Sequence, residues 1–371
     1  MTAYLLGAYQ GNRHLSIDNY FQYCQREMPV YLPEWRFSSI RPGRFSEGYF
    51  TQAVVPRTRA WNDNYLRWPL TLSRLRADVY HIVDHGLAWY SFFLNRGKTI
   101  ITVHDLINLL VIRGRLPLTP IPRRLGALVR ATAHLIQKSD AIVCVSQNTA
   151  DTVMAELSVP AKRIHVVHNI VPQVFRPISC EERARTRRTL LADAESVILH
   201  VGKPSRYKNR LGVLKIFDLL QQKNPASRLL LTSEELDHDE RRFVKNKIWA
   251  ASVSVIKPER QEDLRLLYGV SDLLLFPSLY EGFGWPPLEA MACGCPVIAS
   301  SAGSLGEVVG EAGITIDNPF DALRFADAAY SLLQEPSLAL QLREAGLKRA
   351  ANFTAEKLAP QLAEVYKTVG A

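Results

Sequence analysis

Leu273–Gly303 reads LLLFPSLYEGFGWPPLEAMACGCPVIASSAG. The apolar run Leu273–Phe276 has the composition of a parallel strand buried on both faces, and Leu288–Ala292 reads as the first turns of a helix. Between them lie Gly282 and Gly284 around Phe283, then Trp285, Pro286 and Pro287. This order places a glycine-bearing loop at the carboxyl end of a strand, where open α/β sheets bind ligands. A helix N-terminus and loop N–H groups favour an anion such as phosphate, and glycine lets the backbone approach it closely. Two carboxylates, Glu281 and Glu289, stand eight positions apart. A carboxylate just inside the helix can accept hydrogen bonds from vicinal sugar hydroxyls. Taken alone, Glu289 reads more simply as an acid that suits the helix dipole.

Working outward, similar short runs recur. Candidate strands in the first half are Ala3–Leu6, Ala53–Val55, Val79–Val83, Thr99–Val103, Ala141–Val145 and Ile164–Val167. The second half adds Val197–Val201, Arg228–Thr232, Ser252–Ile256, Pro296–Ala299 and Ile314–Ile316. Helical stretches fall between them, including Ile121–Lys138, Gln147–Leu157, Leu211–Lys223 and Glu262–Val270. Repeated βα units predict an α/β protein with two doubly wound, Rossmann-like sheets. A linker is expected in Asn169–Ser179, which carries Pro172 and Pro177. A charged helix, Cys180–Leu191, follows, and its basic run Arg183–Arg188 reads as a solvated face. From Asp321 to Val369 the chain reads as helices only.

Length and composition agree with two soluble domains. The chain has 371 residues, 47% hydrophobic and 22% charged. No run approaches the apolar length of a membrane span. Met1–Tyr9 lacks a basic n-region and a small-residue cleavage site, so no signal peptide is expected. The five cysteines are scattered, and Cys293-x-Cys295 has no second pair to complete a zinc site. A cytoplasmic protein with reduced thiols is expected. The net charge is +9 and unevenly placed. Met1–Ile178 holds 21 Lys and Arg against 11 Asp and Glu, or +10, leaving −1 for the rest. No nucleic-acid-binding motif accompanies this excess. Arg-rich stretches (Arg36–Arg44, Arg57–Arg76, Arg113–Arg130) alternate with Trp35, Trp61, Trp68 and Trp89. That mixture suits either a peripheral interface on an anionic membrane, such as the inner face of the plasma membrane, or a solvated basic face.

The long, gap-free series EGFG, PPLEAMACG, PVIAS, Gly303 and Glu307 resembles the E-x7-E region of the family-four retaining glycosyltransferases, which use nucleotide sugars and have the GT-B fold. The resemblance implies two Rossmann-like domains facing each other across a cleft. It places an acceptor-binding domain at 1–175, a nucleotide-sugar-binding domain at 176–352, and a C-terminal helix, 353–371, returning to the first domain. It covers Val197–Phe353 strongly and the first half in patches.

A second constellation is His200-Val201-Gly202-Lys203-Pro204-Ser205-Arg206-Tyr207-Lys208-Asn209, after the first strand of the second half. Alone it reads as a basic surface loop. In the family a glycine is followed by an arginine and, five further on, a lysine, and both neutralise the donor diphosphate. Lys208 matches the lysine. Lys203 stands where the arginine would be, keeping charge and losing the bidentate fork. Arg206 is a candidate for the missing guanidinium. Fixed cations aimed at the departing nucleoside diphosphate lower the barrier to its departure.

By the same resemblance, Glu289 should bind ribose hydroxyls and Glu281 the donor sugar near the reacting carbon. Phe283 and Gly284 should offer backbone N–H groups. His104, in an HD pair with Asp105, should lie close to the donor sugar, with Asp105 orienting the loop. Asp84 and His85 are candidates for the acceptor side or for supporting it. Ser146 and Asn169 should border the cleft. Where the family has adjacent glycines after the first strand, Gly7 and Gly11 are separated.

The activity implied is transfer of a sugar from a nucleoside diphosphate sugar to a hydroxyl acceptor, with retention. A lipid-linked or saccharide acceptor of surface polysaccharide, lipopolysaccharide or glycolipid assembly is expected. Mannose from a guanosine donor is the expected sugar. No Asp-x-Asp motif or metal-spaced cluster stands at a strand end, so neither a metal nor a cofactor is expected. A sugar-nucleotide epimerase on this fold and a non-catalytic nucleotide-sugar-binding subunit are the alternatives. A nicotinamide dehydrogenase is disfavoured because no G-x-G-x-x-G follows the first strand.

Overall fold

The computed structural model describes residues 1–8, 15–42, 67–191 and 194–371. The expected strand Ala53–Val55, together with Gly11 and Trp61, lies outside the described residues. Two compact units emerge: Met1–Ile170 with Ala355–Ala371, and Val171–Thr354.

The first unit is built on six parallel strands: β1 (Thr2–Leu6), β2 (Arg36–Ile40), β3 (Val79–Ile82), β4 (Lys98–Val103), β5 (Ala141–Cys144) and β6 (Ile164–Val166). Their order is β2-β1-β3-β4-β5-β6. The central strands β3 and β5 are buried at every position, as their apolar runs require. β2 was not expected. Its sequence, RFSSI, is half polar, and at the sheet edge it pairs with β1 alone. An edge strand needs no continuous apolar run, so the rule that finds the central strands misses it.

The second unit carries β7 (Ser196–Val201), β8 (Ser227–Thr232), β9 (Val253–Ile256), β10 (Leu273–Phe276), β11 (Val297–Ser300) and β12 (Ile314–Ile316). The order is β12-β11-β10-β7-β8-β9, all parallel. Counted from β7, that is the 3-2-1-4-5-6 order of dinucleotide-binding sheets, with its switch point between β7 and β10. The register Leu273↔Ile198 and Leu274↔Leu199 brings the carboxyl ends of those two strands side by side. The core beneath them packs Phe217, Leu229, Leu275, Ile298 and Phe325, all at most 1% exposed. Burying such side chains contributes roughly 1.5–3 kcal/mol each.

Helix Cys180–Leu190 opens with a capping box between Ser179 and Glu182. Its basic run is not simply solvated. Arg183 and Arg187 both turn inward to Asp272, at 2.8 and 3.0 Å. Asp272 Oδ2 also accepts from Val197 N, so this cluster ties the helix to the starts of β7 and β10.

The helices Ala322–Gln334, Pro336–Ala350 and Ala355–Gly370 complete the chain. The last packs within the first unit, where Tyr366 is fully buried. Its hydroxyl lies 2.7 Å from His81 Nδ1, and His81 Nε2 lies 2.8 Å from Thr102 Oγ1. Thr102 Oγ1 is in turn 3.1 Å from Tyr20 OH. Burial lowers the His81 pKa to about 3, so this chain of hydrogen bonds is neutral at physiological pH.

Candidate functional site

The loops after β7 and β10 meet at the switch point of the second sheet. Lys208 Nζ lies 2.8 Å from Glu281 Oε1, with both side chains largely buried. The ammonium also stands over the rings of Phe276 and Tyr207, 4.9 and 5.2 Å from their centroids. It therefore has an anion and two aromatic faces to hold it. Leu279 N donates to Tyr207 O (2.7 Å), joining the two loops through the backbone.

Asn209 locks the arrangement. It adopts φ +53°, a conformation that asparagine tolerates better than most residues. Its Nδ2 donates to Pro277 O after β10 and to Pro319 O after β12, at 3.0 and 2.9 Å. Glu281 is fixed from the other side. Its carbonyl accepts from Ser304 N and Ser304 Oγ, at 3.0 and 3.1 Å. Gly303 (φ +65°) makes this approach possible, since a Cβ there would sit 2.3 Å from the Glu281 carbonyl oxygen.

The helix after β10 begins at Trp285, three residues before its expected start. Pro286 and Pro287 fall in its first turn, where proline is tolerated and its missing N–H costs nothing. Glu289 is thus the fifth helical residue and not a first-turn acid, which removes the simple dipole reading. Its carboxyl is 7% exposed and accepts from Tyr268 OH at 2.9 Å. Burial raises its pKa to about 7, against the lowering effects of the Tyr268 hydroxyl and the Lys208 charge. Phe283 is buried, with its ring edge-on to Trp285 and Phe353. Gly284 holds φ +100° at the N-cap, and a Cβ there would meet Leu305 at 2.8 Å.

Lys203 and Arg206 are exposed on the same loop as Lys208. Gly202 N donates to Thr232 Oγ1 at the end of β8. His200, fully buried, lies 2.9 Å from Leu275 O through Nδ1, and burial lowers its pKa to about 3. Behind the loop, Arg210 and Glu240 form an ion pair at 2.9 Å, with both side chains 2% exposed.

In the first unit the site candidates gather at the ends of β3 and β4. His104 Nε2 lies 2.9 Å from Val83 O, and its backbone N donates to His85 Nδ1 at 3.4 Å. The Tyr20 ring stands edge-on to His104 at 5.1 Å. Burial lowers the His104 pKa, outweighing the neighbouring Asp84 charge. Asp84 Oδ1 accepts from Gly86 N and caps the 3-10 segment His85–Phe93. Asp105 Oδ1 accepts from Ile107 N, which fixes the loop. Ser146 caps helix Gln147–Leu157 through Thr149 N. Asn169 is fully buried, and neither of its amide atoms bonds a described residue. Gly7 packs against the Phe21 ring, where a Cβ would come within 2.5 Å.

So Lys208, Glu281 and Glu289 converge in the second unit, while Asp84, His85, His104 and Asp105 converge in the first. Tyr268 and Asn209 hold members of the first group, yet neither stands out in the sequence. Asn209 has one local signal, an asparagine directly before a helix start. Tyr268 has none, because only the fold carries it to Glu289. The tryptophans of the basic half need a correction. Trp35 and Trp68 are 8% and 5% exposed, so they belong to the core and not to a surface. Each packs its ring against a tyrosine, Tyr366 and Tyr90 respectively.

Residues 182–349 match the family described as Glycosyl transferases group 1, and residues 37–173 match Glycosyltransferase Family 4. The chain is similar to the O-antigen chain mannosyltransferase B of Escherichia coli, 28% identical over 66% of this chain and 65% of that one. It is also similar to the D-inositol 3-phosphate glycosyltransferase of Rhodococcus opacus, 30% identical over 72% of this chain and 61% of that one. The chain thus spans somewhat less than two thirds of the length of these curated relatives. Among solved structures it resembles Anabaena HepE in complex with UDP and glucose, with a TM-score of 0.74 at 16% identity. That likeness covers 99% of this chain and 100% of the other.

Proposed function

Because the chain belongs to the group 1, family-four glycosyltransferases and has their two-domain GT-B fold, we propose that it transfers a sugar from a nucleoside diphosphate sugar to a hydroxyl acceptor. The observation that carries this reading is the convergence of Lys208, Glu281 and Glu289 at the switch point of a sheet with dinucleotide-binding strand order. A cation there can face a diphosphate, and two fixed carboxylates can receive sugar hydroxyls.

Lys208 holds the diphosphate and is shared between it and Glu281 when the donor is bound. Lys203 and Arg206 add charge from the exposed part of the loop. Phe283 and Gly284 offer backbone N–H groups, since the prolines that follow have none. Glu281 positions the donor sugar through its hydroxyls, and Glu289 takes the ribose hydroxyls. Ribose donors favour the ionised carboxyl, so binding lowers the Glu289 pKa and releases protons near pH 7. In the first unit we assign the neutral imidazole of His104 to recognition of the transferred sugar, and Asp84, His85 and Asp105 to the acceptor side.

The bond from the anomeric carbon to the diphosphate oxygen breaks, and the acceptor oxygen bonds the same face of that carbon. The acceptor proton passes to the departing phosphate oxygen, and configuration is retained. The cations stabilise the leaving diphosphate without a metal. Mannosyltransferases among the relatives, the O-antigen chain enzyme included, support mannose as the sugar and a surface polysaccharide as the product.

Isothermal titration with UDP, GDP and ADP, first without metal and then with magnesium, tests the site. One nucleotide binds without metal, and Glu289→Ala abolishes its binding. If none of the three binds under either condition, the donor site is not where we place it.

A further inference from the structure

Helix Arg123–Lys138 buries Leu135 and Ile136 in the core of the first unit. A second stripe on it, Arg130, His134 and Gln137, recurs at helical spacing and lines a pocket of about 340 Å³. Leu109 and Ile112 of helix Ile107–Ile112 add an apolar wall, joined by Leu157 at the end of helix Gln147–Leu157. Hydrocarbon walls with a few polar groups, in a space of this size, are the features of a small-molecule site. The transferase reading above makes no use of it.

The charge around the pocket is one-sided. Leu106–Ser139 holds six Lys and Arg and no acid. Arg113, which also lines the pocket, shares Glu156 with Arg115. Arg130 makes no ion pair or hydrogen bond with any described residue. Its Nη1 lies 3.6 Å from the point where a Cβ of Gly126 would be, and Ile112 Cδ1 lies 3.8 Å from the same point. The guanidinium therefore folds back one turn and rests beside the apolar wall. Gln137 Nε2 donates to Leu157 O at 2.6 Å, which leaves Gln137 Oε1 as an acceptor. His134 Nδ1, 3.3 Å away, donates to that oxygen. A neutral His134 ring then keeps Nε2 as its own acceptor.

We infer that this pocket binds a small phosphate monoester with a hydrocarbon body. Arg130 and Arg113 pair with the phosphate oxygens, a match for planar guanidinium forks. The body packs on Leu109, Ile112 and Leu157. A monoester carries a proton part of the time near neutral pH and can donate it to His134. A carboxylate is ionised there and has no proton to give. Helix Ile107–Ile112 starts where Asp105 Oδ1 accepts from Ile107 N, so the ligand lies against the helix that follows the His104–Asp105 loop.

The test titrates the full chain calorimetrically with phenyl phosphate, inorganic phosphate, phenol, benzoate and diethyl phosphate. Phenyl phosphate binds at least about tenfold tighter than the others, since each of them lacks the body, the charge or the proton. Diethyl phosphate stands for the diester of a bilayer headgroup, so its weak binding separates a soluble monoester from a lipid. Arg130→Gln weakens phenyl phosphate at least about tenfold, the loss of one charge-assisted hydrogen bond. It leaves thermal unfolding and nucleotide binding unchanged, because Arg130 is exposed and unpaired among the described residues. Ile112→Ser weakens phenyl phosphate and spares inorganic phosphate. Lys208→Ala disables the donor site and leaves phenyl phosphate binding intact, so failure of either site is read without the other. The inference is overturned if phenyl phosphate binds no tighter than inorganic phosphate, or if folded Arg130→Gln binds it equally. It is also overturned if Lys208→Ala abolishes the binding, because the ester then occupies the donor site, or if diethyl phosphate binds as tightly.

Discussion

At the switch point of the second unit buried acids and bases form charged pairs, Lys208 with Glu281 and, behind the loop, Arg210 with Glu240, while His200 beneath them is neutral. In the first unit the buried strand-end groups are neutral, and His81 and His104 are kept uncharged by burial. The two sheets share six parallel strands but differ in strand order, with the first unit's switch between β1 and β3. The same scaffold thus supports two electrostatic solutions. One presents fixed charge, which suits a polyanionic ligand. The other presents hydrogen-bonding rings without adding charge.

The largest effect should come from breaking the buried pair. Burial lowers the Arg210 pKa and raises that of Glu240, so desolvation outweighs their mutual attraction. Glu240→Gln leaves the guanidinium uncompensated and should cost about 3–5 kcal/mol in denaturant unfolding. Replacing both partners, Arg210→Met with Glu240→Leu, should recover most of that loss. If it does not, the pair contributes more than desolvation allows.

Next comes catalysis. Lys208→Ala should lower kcat by about 10²–10³, the usual effect of removing one preorganised charge stabiliser. An intact rate in a folded variant would remove the charged end of the contrast.

A smaller effect probes the neutral side. Tyr366→Phe leaves a ring nitrogen of His81 unbonded and should cost about 1–3 kcal/mol, with little pH dependence between pH 6 and 8. That range lies far above the His81 pKa of about 3, so the ring does not titrate there. A steep pH dependence would show that the first unit holds charge after all.

The smallest effect follows Glu289. Its folded-state pKa of about 7 lies above the unfolded value. Its protonated form therefore favours folding at low pH, and that contribution is lost as pH rises through about 7. Glu289→Gln should raise Tm at pH 8 and change it little at pH 5. In the wild type, nucleotide affinity should fall by up to about tenfold per pH unit below about 7, read by titration in buffers of different ionisation enthalpy.

The sequence was most legible where local chemistry and fold coincide. Leu273–Phe276 is apolar because it is central, and Glu281–Gly284 is unusual because the backbone turns there. The five named helices in the middle of the chain lie within two residues of their expected bounds. What escaped depends on partners distant in sequence. β2 is an edge strand and carries no strong pattern. Tyr268 looks like any core aromatic until the fold sets it beside Glu289, 21 residues on. Arg183 and Arg187 read as surface charge because Asp272 lies more than 80 residues away. Trp35 and Trp68 were misread for the same reason, since Tyr366 and Tyr90 bury them.

Helix Ala355–Gly370 belongs to the first unit, although all of the second unit precedes it in the chain. On the ribosome, residues 1–170 therefore emerge long before the segment that completes them. The 184 residues from Val171 to Thr354 take about 10–40 s to synthesise. Through that interval His81 waits without Tyr366, and the sheet face that the helix will cover is bare. The second unit is continuous and can finish folding as it is made. Translation thus imposes an order of assembly: the half with the charged site matures first, and the half that begins the chain is the last to close.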